Sequence, residues 1–166
     1  GEEGRVLCVD VEPCMIEGLV RRATRAELTD RIEPVLCGEN DLGLSGREGS
    51  VDLAVAIHSI HELPDIEHGL RQVAAALKPG GRLAISDVVA TAPLPDEIRQ
   101  DLALLSACVG GAATIDDTVK MLENAGFQDI EIIPKAESRK LISEWVPGES
   151  RNAGDYVVSA DIKAVK

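Results

Sequence analysis

The order of structural elements is set by residues 51–86, whose sequence is VDLAVAIHSIHELPDIEHGLRQVAAALKPGGRLAIS. The first seven residues, Val51–Ile57, are apolar except for Asp52, which is typical of a buried strand. Residues 64–77 place apolar side chains at helical spacing, and the Pro-Gly-Gly sequence at 79–81 predicts the end of that helix. A second apolar run, residues 82–86, follows at once. The segment therefore predicts a strand, a helix and a second strand parallel to the first.

The same alternation continues on both sides of this segment. Upstream we predict a strand over residues 5–10, a helix beginning near Pro13, and a strand over residues 32–37. Downstream we predict a helix over residues 96–108 and another that Thr114 caps and Gly126 ends. Residues 128–134 and 155–165 alternate apolar and polar side chains, which predicts an antiparallel pair. The predicted fold class is an α/β doubly wound, Rossmann-like sheet, mostly parallel with an antiparallel edge pair, and covered by helices on both faces.

Size and composition favour one domain over residues 1–166. The chain has 166 residues, of which 45% are hydrophobic, and a formal charge of −12. This charge disfavours nucleic acids and anionic lipid surfaces as partners, and the three aromatic residues are too few for a base-stacking platform. No apolar run approaches the roughly 20 residues that span a bilayer. The four cysteines have no CxxC spacing, so we expect a cytoplasmic protein without a disulfide framework.

Two acidic residues follow predicted strands where doubly wound sheets bind their ligands. Asp10 ends the first strand, and its carboxylate can accept hydrogen bonds from both hydroxyls of a ribose. It can equally be an acid that the dipole of the following helix favours. Glu39 follows the second strand and can receive the amino group of an adenine, or it can be a solvated loop residue.

The segment from Val51 to Ser86, with its KPGG turn, resembles the second half of class I S-adenosylmethionine-dependent methyltransferases. The sequence after Leu77 resembles the arsenite methyltransferase family more narrowly. The matching stretches are SDVVATAPLP, SACVGGA, the helix end NAGF, ESRKLISEWVPG and DYVVSADIKAV. The resemblance implies a cofactor-side part over residues 1–87 and a substrate-side part over residues 88–166. It also implies S-adenosyl-L-methionine as cofactor and a small-molecule substrate, arsenite or its thiol conjugate.

By this resemblance, Asp10 and Glu39 contact the nucleoside, and Cys108 matches an arsenic-binding and catalytic cysteine. Trivalent arsenic is soft and thiophilic, which suits a thiolate ligand. The alternative for Cys108 is a small buried apolar residue. His58 stands where the family has another cysteine, so we interpret it as a residue that faces the cofactor.

The family's first, central strand and its GxGxG cofactor loop have no counterpart in this sequence. We therefore expect a sheet that lacks the first central strand, a sequence that is a fragment, and impaired cofactor binding. The main functional hypothesis is methyl transfer from S-adenosylmethionine to trivalent arsenic. The alternatives are a methyltransferase acting on a small organic acceptor, which His58 favours, and a non-catalytic remnant of a methyltransferase.

Overall fold

The structure, a computed structural model, describes residues 4–99, 109–145 and 155–166. The chain divides into two compact units, Gly1–Gly46 and Arg47–Lys166. The strands are β1 (Val6–Asp10), β2 (Ile32–Leu36), β3 (Val51–Ile57), β4 (Leu77–Ala90), β5 (Gln128–Lys135) and β6 (Val157–Val165). The helices are α1 (Pro13–Arg25), α2 (Ile66–Ala76), α3 (Asp96–Arg99), α4 (Ile115–Asn124) and α5 (Ser138–Trp145), and a 3-10 turn covers Ile60–Glu62.

The first unit is a strand–helix–strand motif, as predicted. β1 and β2 are parallel and aligned from Val6 opposite Ile32 to Asp10 opposite Leu36. α1 begins at Pro13, where the missing N–H costs no helical hydrogen bond. The N–H of Cys37 donates to the carbonyl of Asp10 at 2.9 Å, so pairing continues past the end of β2. The carboxyl ends of both strands therefore lie side by side.

The second unit contains a four-stranded sheet in the order β3-β4-β6-β5. β3 and β4 are parallel, which confirms the prediction from residues 51–86. β6 lies between β4 and β5 and is antiparallel to both, so the predicted antiparallel pair is confirmed. The chain thus returns its last strand into the interior of the sheet rather than to its edge.

β4 begins at Leu77, five residues before the strand predicted at 82–86. Val51 pairs with Leu77 but Leu53 pairs with Arg82, so the KPGG residues form a bulge within the strand rather than a turn before it. Gly80 has a φ of 76°, a value that glycine adopts without strain. Its N–H donates to the carbonyl of Lys166 at 2.8 Å, and Lys166 N–H donates to Gly81 at 3.0 Å. The bulge is stabilised by the C-terminal residue, which short-range patterns do not reveal.

One face of this sheet packs against α2 and α4. The carboxylate of Asp65 caps α2 by accepting the N–H of His68 at 2.9 Å, and Thr114 caps α4 as predicted. Between these helices and the sheet lies an aliphatic core with a single aromatic member. Its buried residues are Leu70, Ala74, Leu77, Leu83, Ile85, Val89, Leu122, Phe127, Val158, Ala160, Ile162 and Ala164.

The opposite face is covered only at one end by the described residues. α5 contributes Ile142 to a second buried cluster with Val88 and Ala90 of β4. On β3, by contrast, the alternate residues Leu53, Val55 and Ile57 are 45%, 62% and 66% exposed. Among the described residues, helices therefore pack against both faces, as the sequence predicts, but on the second face they leave the side chains of β3 exposed.

β1 and β3 each have a strand neighbour on one side only within their own sheets. α5 is a helix that the sequence patterns did not predict. The helix predicted over residues 96–108 is described only as α3 (Asp96–Arg99), because residues 100–108 lie outside the described part.

We predict that Leu70→Ala lowers the free energy of unfolding by about 2–5 kcal/mol, because it leaves a cavity beside a side chain that is 1% exposed. Val55→Ala is the matched control and should change the free energy by less than about 0.5 kcal/mol, because Val55 is on the surface. Urea unfolding of both variants measures this difference. A large loss in Val55→Ala would show that the outer face of β3 is covered in solution.

Candidate functional site

Asp10 ends β1 and is half-buried. Its Oδ1 atom accepts the N–H of Glu12 at 2.9 Å, so the carboxylate stabilises the turn between β1 and α1. The N-terminal cap of α1 is Glu12, so Asp10 lies two residues before the cap, close to the positive end of the helix dipole that the alternative interpretation invokes. No described residue donates a hydrogen bond to Oδ2. This oxygen is therefore available to a ligand at the carboxyl end of the strand.

Glu39 is exposed in the loop that follows β2. The loop is ordered by Asp41, whose carbonyl accepts the N–H of Gly38 at 2.9 Å and whose carboxylate accepts the N–H of Gly43 at 2.9 Å. Burial raises the pKa of the neighbouring Cys37 thiol, and the charges of Asp10 and Asp41 raise it further against the effect of a backbone hydrogen bond. The first unit thus places Asp10 and the Glu39 loop at the same edge.

His58 follows β3 directly. Its N–H donates to the carbonyl of Ser86 at 2.9 Å, and its φ of 48° lies in the left-handed region that non-glycine residues rarely adopt. The side chain is exposed, and its ring meets the ring of His61 edge-on, with centroids 6.5 Å apart. The structure therefore holds His58 in an unusual backbone conformation at the carboxyl end of β3.

A second pair of residues at this edge was missed by the sequence analysis. The side chains of Asp87 in β4 and His61 in the 3-10 turn are 4% and 5% exposed, and Nδ1 of His61 lies 2.5 Å from Oδ1 of Asp87. The same carboxylate accepts the N–H groups of Ile60 at 2.9 Å, His61 at 3.3 Å and Val88 at 2.8 Å. Asp87 therefore ties the turn after β3 to β4, just beyond the last residue of β4 that pairs with β3.

The ionised carboxylate of Asp87 determines that Nδ1 of His61 carries a proton. Burial alone would raise the pKa of Asp87, but the hydrogen bond and charge of His61, with the N–H groups of Val88 and Ile60, outweigh burial and lower it below its usual range. An ionised carboxylate only accepts hydrogen bonds, so Nδ1 of His61 carries a proton.

The other ring nitrogen of His61 is unusual because it is buried without a partner. Nε2 has no hydrogen bond to the described residues, and the nearest carboxylate oxygen, from Glu62, is 3.9 Å away. A buried unsatisfied polar atom costs about 1–3 kcal/mol. His61 and Asp87 also line a small cavity of about 20 Å³ with Ile60 and Thr118. An apolar side chain would avoid this cost, so packing alone does not explain a histidine here.

Cys108 lies outside the described residues, so its position is not part of the structure. The next residue, Val109, is fully buried in the cluster with Val88 and Ala90. A Cβ atom on Gly111 would lie 3.1 Å from the carbonyl oxygen of His61, so the two backbones are in close contact. The residues after Cys108 therefore pack against the turn that follows β3.

Over the described ranges there is no group of three or more His, Cys, Asp or Glu side chains that could hold a metal ion. Those ranges also contain no helix with the length and apolar character needed to cross a membrane.

Residues 1–126, about three quarters of the chain, match the family described as a methyltransferase domain. The chain belongs to the methyltransferase domain family. The whole chain is 38% identical over 167 residues to an arsenite methyltransferase of Halobacterium salinarum, but covers only 41% of that protein. An arsenite methyltransferase of Aquipseudomonas alcaligenes is 40% identical over 86 residues. This alignment covers 52% of the present chain and 25% of that protein.

The fold agrees with this family. A solved arsenic(III) S-adenosylmethionine methyltransferase of Chlamydomonas reinhardtii superposes with a TM-score of 0.77 at 24% identity, over 99% of this chain and 56% of that one. The predicted Rossmann-like methyltransferase fold is confirmed. The chain spans about two fifths of the halobacterial relative, so the roles of Asp10, Glu39, His58 and Cys108 stay predictions.

The missed pair carried a signal that the sequence analysis used elsewhere. Asp87 follows the core of an apolar strand in the same way as Asp10, and the rule that directed attention to Asp10 applies to it equally. His61 had no comparable signal, because only the fold shows that it is buried beside that carboxylate.

We predict that Asp87→Asn destabilises the protein by about 3–5 kcal/mol near pH 7, because it removes the charge from a buried pair. The pKa of Asp87 is lowered from its ordinary 3.8, so its ionised form stabilises the fold above about pH 4. This contribution disappears as the pH falls through the lowered value. Urea unfolding from pH 2.5 to 7 measures this contribution. As the pH falls, the free energy of unfolding should decrease more in the wild type than in Asp87→Asn, because the variant has already lost the contribution of the ionised carboxylate.

Asp52→Asn is the control for that series. Asp52 pairs with Lys78 at 2.6 Å, but its side chain is 81% exposed, so the variant should change the free energy of unfolding by at most about 1 kcal/mol. Equal losses in the two variants would contradict a special role for the buried carboxylate.

Proposed function

We propose that this methyltransferase domain transfers methyl groups from S-adenosyl-L-methionine to trivalent arsenic. The observation that carries the proposal is the acid at the carboxyl end of β1, with one carboxylate oxygen available, in a chain 38% identical to an arsenite methyltransferase. The activity, substrate and partners of the whole protein are all part of this proposal, because the chain spans only part of its relatives.

The residues of the first unit fit a nucleoside. Asp10 is half-buried, which limits competition from water, and Oδ2 can accept from the hydroxyls of a ribose. Glu39 follows the neighbouring parallel strand and is exposed, so it can accept from the amino group of an adenine. When bound, the cofactor supplies an electrophilic methyl group on a sulfonium. No GxGxG pattern is present to hold the cofactor's amino-acid end, so we expect the nucleoside contacts to bind it weakly on their own.

We assign the arsenic to Cys108. A cysteine sulfur is a suitable soft ligand for trivalent arsenic, and by the resemblance Cys108 matches an arsenic-binding cysteine of the family, whereas Cys8, Cys14 and Cys37 do not. The close contact between Gly111 and His61 supports a position of the following residues near the carboxyl end of β3. In this proposal, Cys108 belongs to the acceptor side, and His58, which we interpret as facing the cofactor, lies where cofactor and acceptor meet.

The chemistry demands little from acid–base residues. The arsenic lone pair attacks the methyl carbon in line, and the carbon–sulfur bond breaks as the carbon–arsenic bond forms. Holding the acceptor in this line and excluding water supply most of the rate enhancement. The chain therefore needs a rigid acceptor side more than a general base.

A small organic acceptor is the second candidate, and His58 is the observation that favours it. Imidazole is a harder ligand than thiolate, and His58 is exposed at the end of β3 where the family has a cysteine. An imidazole at this place can form a hydrogen bond to a hydroxyl or amine of an organic substrate.

We predict that S-adenosylmethionine perturbs the backbone amide NMR signals of residues 10–12 and 38–41. Asp10→Asn should weaken this binding by about tenfold or more, because a hydrogen bond to a charged group contributes about 1.5–3 kcal/mol. Asp30→Asn, an exposed substitution in the same unit, is the control and should bind as the wild type does. Equal affinities for Asp10→Asn and wild type would contradict the nucleoside assignment.

We predict that Cys108→Ser lowers the affinity for arsenite at least about tenfold, because a hydroxyl is a poor ligand for a soft centre. Equilibrium dialysis in the presence of glutathione, with arsenic measured by mass spectrometry, gives the affinity. Cys14→Ser is the matched control and should leave it unchanged. If Cys108→Ser binds arsenite as tightly as the wild type, the organic acceptor becomes the better proposal.

A further inference from the structure

The proposed function uses neither His61 nor Asp87, although they form a buried pair at the edge of the sheet where the acceptor side is proposed. We propose that His61 is a positioning residue of the acceptor side: Asp87 fixes its ring, the ring orients His58, and its carbonyl supports the residues after Cys108. This inference rests on the proposed methyl transfer and adds to it a residue that acts through its neighbours.

Asp87 fixes His61 through two attachments. Oδ1 accepts the Nδ1 proton of the ring at 2.5 Å, and Oδ2 accepts the backbone N–H of the same residue at 3.3 Å. The N–H of Ile60 donates to Oδ2 as well, at 2.9 Å. Main chain and side chain of His61 are thus bound to one carboxylate, which itself is held by the backbone of β4. The ring has little freedom to turn.

The fixed ring in turn limits the position of His58. The two rings meet at an interplanar angle of 86°, the edge-on arrangement that aromatic rings prefer. The backbone of His58 is held by its hydrogen bond to Ser86, and the contact with the ring of His61 adds a constraint on its side chain. An exposed imidazole at the end of β3 thereby keeps a defined direction.

The carbonyl of His61 supports the other acceptor segment. Gly111 approaches it so closely that an added Cβ would lie 3.1 Å from the oxygen. Ala112 N–H donates to Val109 at 3.2 Å, so Gly111 belongs to a tight turn. A shift of the 3-10 turn would therefore move the chain that leads away from Cys108.

The unpaired Nε2 distinguishes this role from simple packing. An asparagine side chain can place an N–H donor at about the position of Nδ1, and it has no second ring nitrogen to bury. Asparagine would therefore satisfy Asp87 but could not contact the ring of His58. A histidine is needed only if the site requires both the hydrogen bond to Asp87 and the ring contact with His58.

His61→Asn and His61→Leu separate the two contacts. We expect His61→Asn to keep the melting temperature within a few degrees of the wild type, whereas His61→Leu lowers it more, because Leu leaves Asp87 without its side-chain donor. In His61→Asn the carbon-bound ring protons of His58 should shift in the NMR spectrum, and the arsenite affinity should fall about tenfold through misplacement. His68→Asn, on the exposed side of α2, is the control for both readouts.

The outcomes are distinct. Unchanged His58 signals in His61→Asn, or an arsenite affinity equal to that of the wild type, would overturn the positioning role and leave His61 as a structural residue. If the wild type itself binds no arsenite, the proposed function fails, and the His58 signals alone decide the positioning of its ring. A long-range ¹H–¹⁵N spectrum of the wild type should show Nδ1 of His61 protonated, and an unprotonated Nδ1 would also overturn the inference.

Discussion

The buried carboxylate of Asp87 is the interaction on which the turn after β3 depends. A carboxylate that is 4% exposed cannot stay ionised without donors, and four N–H groups provide them. Three of these come from Ile60 and His61, in a 3-10 turn whose own backbone hydrogen bonds run from Glu62 N–H to Ser59 at 3.4 Å and from Leu63 N–H to Ile60 at 3.2 Å. The need to satisfy one charge attaches this turn to β4, and the turn brings the ring of His61 against His58 and its carbonyl against Gly111.

The parallel ladder of β3 and β4 provides the frame for this interaction. The pairing continues to Ile57 opposite Ser86 and is extended by the N–H of His58, so the turn after β3 leaves the sheet beside Asp87, while β4 continues to Ala90 against β6. The first unit uses the same geometry, with Asp10 and Cys37 at the joined ends of β1 and β2. In both units, the hydrogen bonds between paired strands place residues that are distant in sequence close together. No direct contact between their side chains is needed for this.

Most of the secondary structure was predictable because its signals are local. Strand β3 was predicted with its observed bounds, and the N-terminal cap of α4 follows from Thr114 and Asp117 alone. The features that were missed depend on distant residues. Lys166 stabilises the KPGG bulge in β4, and the partners of Asp87 lie 26 and 27 residues away. Helix α5 buries Ile142 against β4 and β6, a context that its own sequence does not show.

The site was predictable to a similar extent. Doubly wound sheets bind ligands at the carboxyl ends of their strands, and this rule selected Asp10 and Glu39 as candidates. The structure places both residues at one edge of the first unit. It also places His58 at the end of β3, whereas the prediction for Cys108 falls outside the described residues. The rule applied equally to Asp87, but its histidine partner is evident only from burial, since a lone histidine in a turn is more often solvated.

The most direct test of the central claim is amide hydrogen exchange at Ile60 and His61 in the wild-type chain. If Asp87 fixes the turn, both amides should exchange as slowly as those in the interior of β4, because they open only when that buried carboxylate is exposed. Exchange of both amides at the rate of the exposed loop after β2 would show that the turn opens independently. That result would contradict the account.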